Sequence, residues 1–239
     1  MLRIDLTLPT SAENLAIDEL LSDLSDSAGS PRECLRIWEN PEFAVVLGRS
    51  SRHREEVNMD WCDAEQIPVL RRSSGGAAVV IGPGCLMYSV TLDYRLRPEL
   101  RLLDQAHQFV MGRLVDAFAG AEMAVEFHGT CDLTWQGRKF SGNSLRCRRN
   151  SLLYHGTLLY DFSLSFVTEC LGTPPRQPEY RRQRPHSEFV TNLPVTRDQL
   201  VSVLQNAWPT TGTEEPLNVG DIGRLAEDKY SDPAWTGKL

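Results

Sequence analysis

The sequence predicts an α+β fold, with strands in groups and helices between the groups rather than regular βαβ alternation. Runs rich in β-branched and aromatic residues cluster between Gly, Pro and Asn turn signals, while the helical periodicities lie outside those clusters. At 239 residues and 41% hydrophobic content the chain can bury one substantial core. One domain is therefore expected over residues 1–209, with an extension at 210–239 packed on it.

Residues 2–8 start as a strand. Thr10 or Ser11 can cap a helix whose early turns suit Glu13 and Asp18-Glu19, with Leu15, Leu20, Leu21 and Leu24 as its apolar stripe. Residues 35–38 and 43–47, separated by Glu39-Asn40-Pro41, read as a hairpin ending at Gly48. Residues 68–70 form another strand, and 77–81 and 86–92 two more around the Gly82-Pro83-Gly84 turn. A long helix runs from about 98 to 118. Leu133-Thr134-Trp135, a Gln136-Gly137 turn and Lys139-Phe140-Ser141 form a hairpin, and the strand at 151–160 contains His155. After a short helix at 200–207, residues 210–239 mix Gly, Pro and charge, which predicts a loosely packed tail with one helix near 222–228.

Composition limits the function classes. The formal charge of -7 argues against nucleic-acid binding, which depends on neutralising phosphates with Lys and Arg. Apolar runs such as 77–81 fall far short of the roughly 20 residues of a membrane helix, and the opening MLRIDLTLPT lacks the basic and apolar regions of a signal peptide. A cytoplasmic protein without a membrane partner is expected. Cys34, Cys62, Cys85, Cys131, Cys147 and Cys170 form no C-x-x-C pair, which fits reduced thiols. Basic residues gather at Arg71-Arg72, at Arg138-Lys139, at 146–149 and at 176–184, so an anion is expected in the middle of this acidic chain.

Three segments carry the chemistry. In the first, Arg71 and Arg72 precede Ser73-Ser74-Gly75-Gly76-Ala77, whose small residues allow close backbone approach to phosphate or carboxylate oxygens. In the second, Lys139 follows a hairpin turn and is flanked by Gly137 and Gly142. Its compact ammonium can touch a carboxylate and a phosphate together, while Asp132 could carry magnesium. The third is Tyr154-His155-Gly156-Thr157-Leu158-Leu159, where a lone His in an apolar strand reads equally as a satisfied core histidine.

In this order the segments resemble the signature of the lipoate-protein ligase A family, within the wider biotin and lipoate ligase fold. Residues 71–76 are similar to its arginine-arginine-x-serine-glycine-glycine segment and Cys131 to Leu133 to its asparagine-aspartate-leucine. Gly137, Lys139 and Gly142 match its glycine-x-lysine-x-x-glycine, and residues 155–159 its histidine-glycine-threonine-leucine-leucine. Echoes at Asp18-Glu19, at 35–38, 46–48 and 190–193, and at Lys229-Tyr230 with Trp235 extend the likeness over nearly the whole chain.

The resemblance implies a mixed, largely antiparallel sheet packed by helices. It implies that ATP and magnesium activate lipoate or octanoate to an acyl-AMP, which then acylates a lysine of an acidic lipoyl acceptor domain. Lys139 would be catalytic. Arg71, Arg72, Ser74, Gly75, Gly76, Ala77, Gly137, Ser141, Gly142, His155, Gly156 and Thr157 would line the acid and adenylate, and Asp132 would hold the magnesium. Ala77 replaces a third glycine, Ile81-Gly82 a histidine-aspartate pair, Cys85 an asparagine and Cys131 another asparagine. These departures are expected on the ligand side of the pocket. The accessory domain of the larger ligases is not expected in this chain, so either a separate protein supplies it or the reaction differs.

Two alternatives stay open: a transferase of the same fold that carries the acyl group on a cysteine without ATP, and a non-catalytic lipoyl-binding assembly protein. The Arg-rich stretch at 172–186 is the expected docking loop for the acceptor.

Overall fold

A capping box starts the first helix: Thr10 Oγ1 accepts from the Glu13 amide, and the Glu13 carboxylate accepts from the Thr10 amide. The computed structural model describes residues 1–173, 177–213 and 217–239. In chain order these form β1 (Leu2–Ile4), α1 (Ser11–Ser27), β2 (Cys34–Glu39), β3 (Ala44–Leu47), α2 (His53–Glu56), α3 (Met59–Ala64) and β4 (Val69–Arg71). Then come β5 (Val79–Ile81), β6 (Cys85–Asp93), a 3₁₀ turn (Pro98–Arg101), α4 (Leu103–Gly120), β7 (Glu126–His128), β8 (Asp132–Trp135), β9 (Arg138–Cys147) and β10 (Ser151–Leu159). The rest is α5 (Ser165–Cys170), a 3₁₀ turn (Glu179–Arg181), α6 (His186–Phe189), α7 (Arg197–Ala207), β11 (Gly212–Thr213), α8 (Val219–Leu225), a π turn (Ala226–Tyr230) and α9 (Pro233–Thr236).

The strands make an eight-stranded sheet in the order β11-β1-β2-β6-β10-β9-β8-β7 and a three-stranded sheet, β4-β3-β5. Pairing is antiparallel except at β1–β2, β1–β11 and β3–β4, so the architecture is mixed and largely antiparallel. One hydrophobic cluster joins α1, the small sheet and α8 to one face of the large sheet, and a second joins α4 and α7 to the other. No helix among the described residues is long and apolar enough to cross a membrane.

Several local expectations are corrected. Residues 35–47 are not a hairpin: β2 pairs with β6 along its whole length from Cys34 to Glu39 and with β1 on its other edge. No edge remains for β3, which lies between β4 and β5 instead. The Gly82-Pro83-Gly84 turn likewise carries the chain from the small sheet to the large one. Gly84 has φ +82, and a Cβ there would lie 2.1 Å from the Asp161 carbonyl.

The buried face of α1 is not the leucine stripe alone. Leu15 and Leu21 are buried, Leu24 is exposed, and Asp18, Ser22 and Ser25 are buried with them. Asp18 faces Arg36 on β2, and Ser25 Oγ lies 2.9 Å from Thr91 Oγ1 on β6, so two of these three polar groups meet polar partners across the interface. Nor is the C-terminal stretch loose. Ile222, Ala226 and Tyr230 are buried, and Lys229 Nζ and the Tyr230 hydroxyl both donate to Glu19 at 2.7 Å.

Candidate active site

The loop between β4 and β5 is shaped by Arg72. Its Nη1 donates to the Val46 carbonyl at 3.0 Å, its Nη2 to the carbonyls of Gly75 and Ala77, and its Nε to Ser74 Oγ at 3.1 Å. Burial lowers the guanidinium to about 10, which leaves it a cation at neutral pH. Ser144 Oγ also donates to Gly75 O at 2.9 Å. With the loop carbonyls turned onto these donors, the amides of Gly75, Gly76 and Ala77 have no backbone acceptor among the described residues. Successive free amides of this kind suit an anion. Gly48 is required beside the loop, because a Cβ there would fall 1.8 Å from the Gly76 carbonyl.

The opposite wall is the β8–β9 hairpin. Gln136 and Gly137 at its tip have φ of +51 and +72, the left-handed pair that a tight two-residue turn needs. Lys139 follows, and its Nζ lies 2.7 Å from Asp132 Oδ1, while the Tyr180 hydroxyl donates to Asp132 Oδ2 at 2.7 Å. Gly142 lies under the lysine: a Cβ would stand 2.9 Å from both Cε and Nζ of Lys139. The glycine flanking Lys139 on β9 thus leaves room for the lysine's flexible end in its present path.

Two cavities meet at Lys139. The first, about 100 Å³, has an apolar side made by Leu15, Trp38, Val46, Ile81 and Met87 and a polar side with Arg72, Asn143 and Ser144. The second, about 160 Å³, is bordered by Asp132, Phe140, Arg181, His186 and Phe189. Ala77, Lys139, Gly142 and Thr157 line both. His186 is lowered to about 4 by burial and by the nearby Arg181 and Lys139 charges, so its ring is neutral at pH 7. An open hollow of about 650 Å³ beside Leu70 and Tyr230 holds none of the residues of the three sequence segments.

The structure brings together Arg72, Gly76, Ala77, Lys139, Gly142, His155, Gly156 and Thr157 at the first cavity, and Asp132 and Ser141 at the second. Arg71 lies elsewhere. Its guanidinium is fully buried and donates to the carbonyls of Gly48, Arg49, Ser51, Trp235 and Thr236, away from both cavities. Ser74 and Gly75 lie behind the cavity wall, and Gly137 sits at the hairpin tip, where it accepts from Arg184. Cys85 does not reach the ligand side, because it is fully buried with its Sγ 3.8 Å from Met87 Sδ.

Trp38, Asn143, Ser144, Arg181 and His186 line the cavities without having been singled out for it in the sequence. Only register and packing bring them there. Among the described residues no group of three His, Cys, Asp or Glu side chains could hold a metal. Asp132 alone suits magnesium only if phosphate oxygens and water complete the shell, as is usual for that ion.

Burial makes most of the thiols poor nucleophiles, whereas Cys147 at the end of β9 is exposed. Burial pushes Cys131 up to about 11, against the pull of Lys139 and Arg72, and its Sγ donates to the Asn143 carbonyl at 2.8 Å. Burial also raises Cys34 to about 11 and Cys170 to about 12. The expected docking arginines are occupied as well. Arg176 lies outside the described residues. Arg181 is buried with its guanidinium 4.9 Å from the Phe189 ring, and Arg184 donates to the carbonyls of Arg181, Gly137 and Tyr180, which leaves Arg182 exposed.

The family model of the lipoyl protein ligase A/B catalytic domain matches residues 10–206. A probable lipoate-protein ligase A of Mycoplasma pneumoniae is 30% identical over 160 residues, 66% of this chain and 45% of that protein. The octanoyltransferase LipM of Bacillus cereus is 22% identical over 266 aligned residues, covering 95% of this chain and 94% of that enzyme. The chain spans about half the length of the curated ligases it matches. Among solved structures, the bi-partite lipoate protein ligase of Thermoplasma acidophilum has a TM-score of 0.79 at 22% identity, covering 100% of this chain and 96% of that one. A lipoate-protein ligase A bound with ATP has a TM-score of 0.74 at 20% identity, covering 100% of both chains.

Proposed function

Since the chain belongs to the lipoyl protein ligase A/B catalytic-domain family, we propose that it activates lipoate or octanoate with ATP to an acyl-AMP and transfers the acyl group to a lysine of an acidic lipoyl acceptor domain. The observation that carries this reading is Lys139 at the junction of two cavities, the first with an apolar side opposite its polar one. The acyl chain lies along Leu15, Trp38, Val46 and Met87, which places its carboxylate at Lys139 and the nucleotide in the second cavity. Lys139 shares its ammonium between that carboxylate and the α-phosphate and stabilises the charge that develops during attack. The amides of residues 75–77 hold anionic oxygens on the facing wall. Magnesium held by Asp132 with the phosphates would neutralise charge on the nucleotide.

In the second step the acceptor lysine attacks the acyl carbon, the C–N bond forms and AMP leaves. A separate accessory protein, in the manner of a bi-partite ligase, fits the same reading. The cysteine route is the second reading, favoured by the likeness to an octanoyltransferase along nearly its whole length. Against it stand Cys131 and Cys170, whose thiols burial holds in the neutral form, which leaves the exposed Cys147 as its candidate nucleophile.

The test is incubation of the pure protein with ATP, magnesium and either acid, with acyl-AMP measured by mass spectrometry. Acyl-AMP is expected. If none forms, and an octanoyl carrier thioester instead leaves a hydroxylamine-sensitive acyl group on the protein, the transferase reading replaces the ligase one.

A further inference from the structure

Along one wall of the first cavity, which Asp18, Arg72 and His155 line and Ser74 does not, a chain of buried hydrogen bonds runs from α1 to Arg72. Asp18, Ser74 and His155 are 3%, 1% and 8% exposed. Asp18 Oδ1 accepts from Arg36 Nη1 at 2.7 Å and from Ser89 Oγ at 2.9 Å, and its Oδ2 lies 3.4 Å from His155 Nδ1. His155 Nε2 is 2.6 Å from Ser74 Oγ, which accepts from Arg72 Nε.

The direction of the chain follows from its ends. Burial favours the neutral acid at Asp18, but Arg36 and His155 outweigh it and hold the group below the usual carboxylate range. A carboxylate can only accept, so Nδ1 of His155 carries the hydrogen, and with Ser74 Oγ already accepting from Arg72 Nε we assign Nε2 as the acceptor of the Ser74 hydroxyl. Ser74 must then donate its hydroxyl hydrogen to Nε2, which leaves its lone pairs facing Arg72. Each donor has one acceptor along the line Arg72, Ser74, His155, Asp18. The arrangement has the connectivity of a Ser-His-Asp triad. Ser74 lines neither cavity, however, so this serine has no path to a substrate.

We propose that Asp18 and His155 are positioning residues that act through Ser74: they fix the Arg72 guanidinium, and with it the carbonyls of Gly75 and Ala77, so that the 75–77 amides stay free for an anion. Fixed Arg72 geometry makes the loop a preorganised anion site instead of one that must reorganise on binding. The identity of the anion, ATP phosphate or acyl carboxylate, rests on the activation reading above. The strut itself does not.

The test uses Ser74→Ala, Ser74→Thr and His155→Gln in the full chain, with ¹⁵N-histidine and amide spectra recorded beside acyl-AMP kinetics. In the wild type, His155 is expected as the neutral Nδ1–H tautomer. Ser74→Ala should shift the amide resonances of Gly75, Gly76 and Ala77 and raise KM for ATP or the acid about tenfold, the scale of one buried hydrogen bond, with a smaller change in kcat. Ser74→Thr, which keeps a hydroxyl, should recover most of that loss, and His155→Gln should resemble the alanine variant. An Nε2–H tautomer in the wild type, or unmoved loop amides and KM within twofold in Ser74→Ala, would overturn the proposal. A wild type that makes no acyl-AMP but shows the Nδ1–H signature and the shifted amides would remove the activation reading and leave the strut supported.

Discussion

Arg71 ends β4 and Arg72 follows it with its amide still donating to the Leu47 carbonyl; both are buried and bonded mainly to carbonyls, yet they organise different regions. Arg72 faces inward and shapes the loop against the first cavity. Arg71 faces outward and ties that strand to residues 48–51 and to the C-terminal segment, where Trp235 Nε1 returns a bond to the Arg71 carbonyl at 2.7 Å. Alternation along a strand sends adjacent side chains to opposite faces, so one Arg-Arg pair serves an inner wall and an outer buttress. The acidic pair on α1 divides the same way: Asp18 joins the inner chain to His155, and Glu19 takes Arg146, Lys229 and Tyr230 on the outside. Identical residue types therefore carry different consequences, which separate experimentally as binding against stability.

The largest effect is expected on the outer side. Arg71→Ala leaves several buried carbonyls without donors and should lower unfolding free energy by about 3 to 5 kcal/mol, read by urea denaturation, and Arg71→Lys should not restore it because one ammonium cannot span the same acceptors. On the inner side, Lys139→Ala should cost on the order of 10²-fold or more in acyl-AMP formation with unchanged denaturation, since the lysine is partly exposed and lies at the cavity junction. Lys139→Arg should fail in the same way. Loss of stability with retained activity in this variant would erase the distinction between the two walls.

Glu19 sharpens the comparison through pH. Burial pushes its carboxyl up, but hydrogen bonds from Lys229, Arg146 and Tyr230 outweigh this and hold it at about 2, against 4.5 for an ordinary glutamate. The folded value is depressed, so its stabilisation is complete above the unfolded value and fades as pH falls toward 2. A shift of this size corresponds to about 3 kcal/mol at 1.36 kcal/mol per unit. Wild type should exceed Glu19→Gln by up to that amount at pH 7, with the gap closing between pH 5 and 2. A pH-independent gap would assign the difference to packing instead. The smallest effect is expected for Gly142→Ala, whose Cβ meets only the flexible end of Lys139: activity should fall about tenfold or less, and the melting temperature should barely change.

Much of the inner region was legible in the sequence because close backbone approach restricts residue choice locally. Gly142 under Lys139 and the Gln136-Gly137 turn before it are short-range constraints that a sequence window displays. The outer region was not legible in this way. Arg71 read as a ligand contact because an arginine beside a glycine-rich loop looks the same whether its partners are phosphates or carbonyls some 165 residues away. The arginines at 181 and 184 read as free charge for the same reason, although both lie over Phe189 and both bond nearby carbonyls.

By itself the sequence determined the α+β class, a helix cap at Thr10 or Ser11, the Lys139 hairpin and the family motifs, since periodicity, turn chemistry and small residues act over a few positions. The tertiary structure alone decided that residues 35–47 split between two sheets, that Asp18 meets His155 across 137 positions and that the C-terminal segment closes on Glu19. The physical reason is common to all three. A buried polar group or strand edge must find a partner, and which partner it finds depends on the register of strands brought together from distant parts of the chain.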